Sequence, residues 1–276
     1  MPSRAASPTR SRPSPADVRL LFAALLLLQS PRRVERPELR AGLDTLYGGG
    51  FPAAAGYFAD LARQDSADPA PVIFEASAYI WWAAALENDG YEAARIDSLL
   101  DRAIARAAAV PRGAARDFWL ATALGYRARQ RDLHGHSWSA AKDAKAMRDA
   151  YARVLAADSS CADCYLGLGV YQYGLARAGA LARLVAKLVG LGSGNAEQGI
   201  RYMRRAAVDG DLARVEAGWV LAAALVREAA RAAPAGAALQ RAARDAVTQL
   251  AERYPGNPVF QRFLWEIPAA APGRGI

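Results

Sequence analysis

Ala243-x3-Val247-x2-Leu250-x4-Pro255 is the stretch on which the reading of this chain turns. The spacing puts a small residue, a branched apolar residue and a leucine on one face of a helix. The proline then marks where that helix must stop, because its ring removes a donor and clashes with the preceding turn. The pattern reads as the second helix of a helical hairpin, and it recurs upstream. Ala54-x3-Phe58-x2-Leu61, Met147-x3-Tyr151-x2-Val154 and Gly199-x3-Met203-x2-Ala206 share the spacing. Internal repetition of helix pairs points to an all-α stack in which each unit buries its apolar face against the next.

Between these segments the chain alternates Ala/Leu/Arg-rich stretches with short breaks. A first helix is expected over about 37–47, ending at Gly48-Gly49-Gly50, and its partner opens at Phe51-Pro52. Proline suits that first turn, where its missing N–H has no helical partner. Gly42 stands where a small residue lets two helices approach closely. A second pair is expected over about 71–86 and 91–109, and a third over about 114–131 and 138–157. The fourth opens at Ser160-x-x-Asp163, which resembles a capping box, and continues as Tyr165-x2-Leu168-Gly169. The fifth opens with Trp219-x2-Ala222-Ala223 and closes at Pro255, and Pro258 to Trp265 reads as a capping helix over the last apolar face. Sustained alternation of period two is absent from the sequence, so strands are not expected.

The aromatic-x2-Leu-Gly opening and the small-x3-large-x2-apolar second helix carry a resemblance to tetratricopeptide-repeat proteins over roughly 37–266, in about five divergent units. Departures are visible: Gln172 stands where the repeat has tyrosine, Ala222 where it has leucine, and no pair has the compact repeat length of about 34 residues. The resemblance implies a right-handed α-solenoid of elongated hairpins, with a disordered tail over 267–276. In that family the first helices line a concave groove. Carried over pair by pair, the groove positions are Glu75, Tyr79 and Trp82, then Arg127, then Tyr173, then Arg227 and Glu228. The implied role is a non-enzymatic scaffold that holds a protein or peptide, in the manner of poorly characterised bacterial envelope proteins.

The net charge of +8 invites a nucleic-acid reading until it is located. Residues 1–40 carry eight arginines against three acidic residues, which is +5 of the total and leaves only +3 beyond Arg40. A phosphate-binding face needs a local cluster of positive charge, and the body of the chain offers none, so no nucleic-acid partner is expected. The segment 1–36 is set apart as a disordered basic N-terminus. Within it Leu20 to Leu28 is apolar and unbroken, far short of the ~20 residues a membrane-spanning helix needs. A basic flank before a short apolar run is the layout of a signal peptide, which argues for an exported, periplasmic or envelope-associated protein. Arg32-Arg33 and the lack of a small-x-small site argue the other way, for a cytoplasmic chain.

Cys161-x-x-Cys164 has the spacing of a thiol–disulfide redox motif at a helix start, where the dipole stabilises thiolates. A strand usually precedes such a motif, and here a helix does. The plainer reading is two small residues at a repeat junction, with export making a structural disulfide between Cys161 and Cys164 the expectation. His134-Gly135-His136 lies some 18 helical residues away, about 27 Å, so the histidines and cysteines cannot share one metal ion. No metal and no cofactor are expected. Gly190-Leu191-Gly192-Ser193-Gly194 lacks the lysine of a phosphate loop, and no Gly-x-Ser-x-Gly elbow is present. These absences weigh against an enzyme.

The insert 175–189 is the remaining feature. Leu181, Leu184, Val185 and Leu188 recur at helical spacing, with Arg183 and Lys187 on another face. Such a helix either packs into a gap in its own protein, the favoured expectation, or lies on an anionic membrane surface.

Overall fold

A computed structural model describes residues 36–232 and 236–267. Twelve helices lie among the described residues, with no strand, and the fold is all-α. They are α1 Pro37–Tyr47, α2 Phe51–Gln64, α3 Ala70–Ala85, α4 Ala93–Ala109, α5 Ala114–Leu133 and α6 Ser137–Ala157. Then follow α7 Cys164–Arg177, α8 Ala180–Val189, α9 Ala196–Asp209, α10 Arg214–Arg231, α11 Ala237–Arg253 and α12 Pro258–Glu266. The expected breaks fall where the structure puts its turns. Local chemistry fixes several ends: Pro52 and Pro71 occupy first turns, the Asn195 side chain accepts from the Gln198 N–H, and the Asn257 side chain accepts from the Val259 N–H.

The expected capping box is not formed. The helix after the third pair starts at Cys164 and not at Ser160, so Ser160-x-x-Asp163 does not cap it. Ser160 instead bonds Asp158 in the preceding turn, and the Asp163 carboxylate accepts from backbone N–H groups of the turn before α10. Residues 1–35, which include the signal-like run, and residues 268–276 lie outside the described residues. Ile267, placed at the start of the expected tail, is 1% exposed, and its carbonyl accepts from Arg244.

The second-helix spacing buries most of its positions, with Leu61 and Leu250 only half-buried. Ala54, Phe58, Met203, Ala206, Ala243 and Val247 are all fully buried. Gly42 makes the expected close approach: a Cβ there would meet the Phe58 ring at 2.5 Å. Consecutive helices pack on one another through most of the chain, and α3 also contacts α5, α5 contacts α7, and α7 contacts α10. The opening helices of successive pairs therefore lie side by side. Helix α3 is apolar on nearly every side, with Pro71 to Ala78, Ile80, Trp81 and Ala83 buried, which marks it as the helix most enclosed by its neighbours.

The two ends of residues 38–267 also meet. Leu39, Leu46 and Tyr47 of α1 share one apolar cluster with Tyr254, Val259 and Phe260. Asn257 Nδ2 donates to the Tyr47 carbonyl at 2.9 Å, and the Tyr254 hydroxyl donates to Asp44 at 3.0 Å. Arg40 forks onto Asp211 at 2.6 and 2.9 Å. Gly49 adopts φ +92°, and a Cβ on it would lie 2.3 Å from the Gly256 carbonyl oxygen, so only glycine suits this contact.

Candidate interaction surface

The faces of α3, α5 and α10 that meet one another are filled. Phe74 meets the edge of Trp119 at 6.2 Å, and Trp81 packs on Trp219 at 5.4 Å. The Tyr126 hydroxyl donates to Glu216 at 2.5 Å, with Ser77 at 3.4 Å on its other side. Burial pushes the Glu216 carboxyl upward, against the Tyr126 hydrogen bond and the Arg129 charge, which pull it down. A carboxyl raised in the folded state loses nothing at low pH, where both states are protonated. Its cost appears as pH rises through the unfolded value and is complete above the folded one. Glu216→Gln keeps an acceptor for Tyr126. Its thermal midpoint relative to the native chain is therefore expected to be higher at pH 7.5 than at pH 4. A difference that does not change with pH, or that changes in the opposite sense, contradicts the assignment.

The seven side chains placed in a groove fall into three groups, each occupied with partners of its own. Glu75, Tyr79 and Trp82 have partners on α4 or in the turn before it. Glu75 is buried with Arg102 at 3.4 Å, Arg95 lies over the Tyr79 ring at 4.8 Å, and Trp82 meets Tyr91 at 5.0 Å. Arg127 forks onto the buried Asp143 at 2.8 and 2.9 Å and reaches Asp101 at 2.7 Å, which ties α4, α5 and α6 together. Tyr173 is buried, its hydroxyl 3.0 Å from Glu228, and Arg177 forks onto the same carboxylate and holds it below the usual carboxylate range. Arg227 is exposed.

A different surface gathers the features of a docking site. Nine large hydrophobic side chains are exposed among the described residues. Three of them flank the α3–α4 and α5–α6 turns: Leu86 just past α3 at 51%, Leu133 at the end of α5 at 43% and Trp138 at the start of α6 at 48%. A fourth, Trp265 at 86%, stands one helical turn past Arg262. Arg262 fastens α12 to this end of α3, donating to the Ala84 carbonyl at 2.7 Å and pairing with Glu87 at 2.7 Å. Partly exposed Tyr79, Trp82 and Tyr91 complete an aromatic corner, with Tyr79 and Trp82 stacked at 16°.

The start of α4 adjoins the α5–α6 turn. Ala93, Ala94 and Asp97 at the start of α4 share a surface depression of about 230 Å³ with Gln130, Arg131, His134 and His136 at the end of α5. Glu87 and Glu92, which bracket the α3–α4 turn, both adopt φ +53°, the left-handed region that side chains other than glycine rarely enter. Such conformations cost about 1–3 kcal/mol each and gather where a surface is used. Among the described residues no group of three His, Cys, Asp or Glu side chains is arranged to hold a metal ion. Cys161 and Cys164 are joined as a disulfide with both residues buried, away from this edge in sequence and in packing cluster.

The sequence reading includes Tyr79 and Trp82 of this edge but not Leu86, Leu133 or Trp138. Their signal was present: Leu86, Leu133 and Trp138 sit beside the Glu-Asn-Asp-Gly and His-Gly-His breaks, where a helix has no further turn to bury them. No family model matches the chain, and no curated protein sequence matches it.

Proposed function

We propose that this chain is a non-enzymatic scaffold that holds a protein or peptide partner along the edge formed by the α3–α4 and α5–α6 turns. The observation that carries this reading is the exposure of Leu86, Leu133, Trp138 and Trp265, the first three beside the α3–α4 and α5–α6 turns and the last on the helix that Arg262 fastens to the end of α3. Aromatic and arginine side chains make the strongest anchors in protein interfaces, and monomeric proteins rarely leave large apolar groups clustered in water. The architecture in this proposal is a right-handed, tetratricopeptide-like solenoid of about five hairpins capped by α12. Its support is the side-by-side packing of the opening helices and the recurring second-helix spacing. The location in this reading is the bacterial envelope, supported by the apolar run Leu20 to Leu28 behind a basic flank and by the paired cysteines.

The test is capture of partners from fractionated native cells by the tagged chain. Native protein should recover a partner from the envelope fraction. Leu86→Ser with Trp265→Ser should reduce recovery at least tenfold, about 1.4 kcal/mol or more, as expected for interface anchors. Tyr57→Ser with Val208→Ser, two exposed positions elsewhere, should leave it unchanged. Equal recovery by both double variants would refute the edge, and recovery of the chain only from the cytoplasmic fraction would refute the location.

A further inference from the structure

The expectation that the helix of the insert packs into a gap in its own protein is met on one side only. Helix α8 rests on α6 through Ala186, which is 3% exposed, with Leu191 buried just beyond its end. On another side Leu184 is 54% exposed and Leu188, one turn later, is 68% exposed. These two leucines form an apolar ridge on a helix that follows α7 and precedes α9 in the chain, and neither belongs to a described core cluster.

The charge around the ridge is of one sign. From Cys164 to Ala196 the sequence contains no aspartate or glutamate, while Arg177, Arg183 and Lys187 are all cationic. Arg177 is spent on Glu228. Arg183 donates to the Ala178 carbonyl at 2.8 Å, and both it and Lys187 are exposed on the helix that carries the leucines. On α6, against which α8 packs, Asp149 is held by Lys145 and Arg148 at 3.0 and 2.6 Å. No acidic side chain on α8 or its flanks competes with an external anion for these cations.

We propose that α8 is a membrane-surface contact: Leu184 and Leu188 enter the boundary between headgroups and acyl chains of an anionic bilayer while Arg183 and Lys187 bind its lipid headgroups. An apolar ridge edged by cations is the pattern of helices that lie in the interface plane, and each basic side chain near an anionic leaflet adds to the attraction. A protein partner for this ridge would need matching acidic groups around an apolar slot, whereas a bilayer supplies both without a shaped surface. The inference is independent of the turn edge, since it uses a different helix and a different ligand class.

Flotation of the full chain with vesicles tests it. Vesicles containing phosphatidylglycerol should carry the native chain upward, and purely phosphatidylcholine vesicles should not. Leu184→Ser with Leu188→Ser should lower the bound fraction at least about tenfold, and Arg183→Glu with Lys187→Glu by about tenfold or more. Raised salt should weaken the native interaction, because exposed charges are screened. Both pairs lie on the surface, so each variant should keep the native thermal midpoint. Failure of the native chain to float, equal flotation with both lipids, or unchanged flotation of either double variant would overturn the proposal. So would concentration-dependent self-association that the leucine pair abolishes in the absence of any lipid binding, which would make a second copy the occupant.

Discussion

Phe260→Ala is expected to lower the unfolding free energy by about 3–5 kcal/mol, a large fraction of what holds a typical domain folded. Phe260 is fully buried, meets Trp81 edge-on at 5.4 Å and lies 6.2 Å from the Tyr254 ring. Those contacts bring α12 onto α3, in the same cluster that holds Leu39 and Leu46 of α1. The alanine therefore opens a cavity at the point where the end of the chain closes on its beginning. Hydrogen exchange in α1 should accelerate along with that in α12, even though the two are some 210 residues apart, as the Asn257 and Tyr254 bonds already span. Denaturant unfolding reads the loss directly. A cost below about 1 kcal/mol, or exchange confined to α12, contradicts the closure.

Asp163→Ala should cost about 3 kcal/mol for a different reason. The Asp163 carboxylate accepts the N–H groups of Asp211, Leu212 and Ala213 at 2.7, 3.3 and 3.2 Å. Those donors stand in the turn before α10, where no helical carbonyl is available to them. Hydrogen bonds to a charged acceptor contribute about 1.5–3 kcal/mol, and part-buried donors left unpaired add their desolvation cost. The same turn carries Asp211, the partner of Arg40, so loosening it also loosens the contact with α1. Asp163→Asn retains one oxygen acceptor and should recover at least half of the loss. Equal destabilisation by Ala and Asn would mean that the carboxylate does not act as this cap.

What the sequence displayed, and what it hid, follow from the range of the interactions. Ala54, Phe58, Ala243 and Val247 announce their burial because spacing along a single helix is a local property. Gly48 to Gly50 and His134 to His136 announce turns for the same reason. The phase of α3 does not show, since Val72, Ile73, Ala76, Ala78 and Ile80 are as apolar as Trp81 and give no polar side to set against it. The contacts of Tyr79 with Arg95 and of Trp82 with Tyr91 are not announced by any spacing within α3. Asp163 looked like the fourth position of a capping box because its true partners lie 48 to 50 residues downstream. The chain's closure on itself depends on pairs such as Asn257 and Tyr47, which no pattern within a helix reveals. Leu184 and Leu188 are a related case: their spacing marks a helix face, but only the neighbouring elements decide which side of α8 is covered.

A partner seated on the edge built from the α3–α4 and α5–α6 turns is detected most directly by site-specific photo-crosslinking. A benzophenone side chain is placed in turn at Leu86, Leu133, Trp138, Tyr57 and Val208 in the full chain and irradiated in native cells. Adducts of one common mass at Leu86, Leu133 and Trp138, with none at Tyr57 or Val208, are the predicted result. Adducts that appear at Tyr57 and Val208 while the three edge positions stay silent would place the partner elsewhere and contradict the proposed edge.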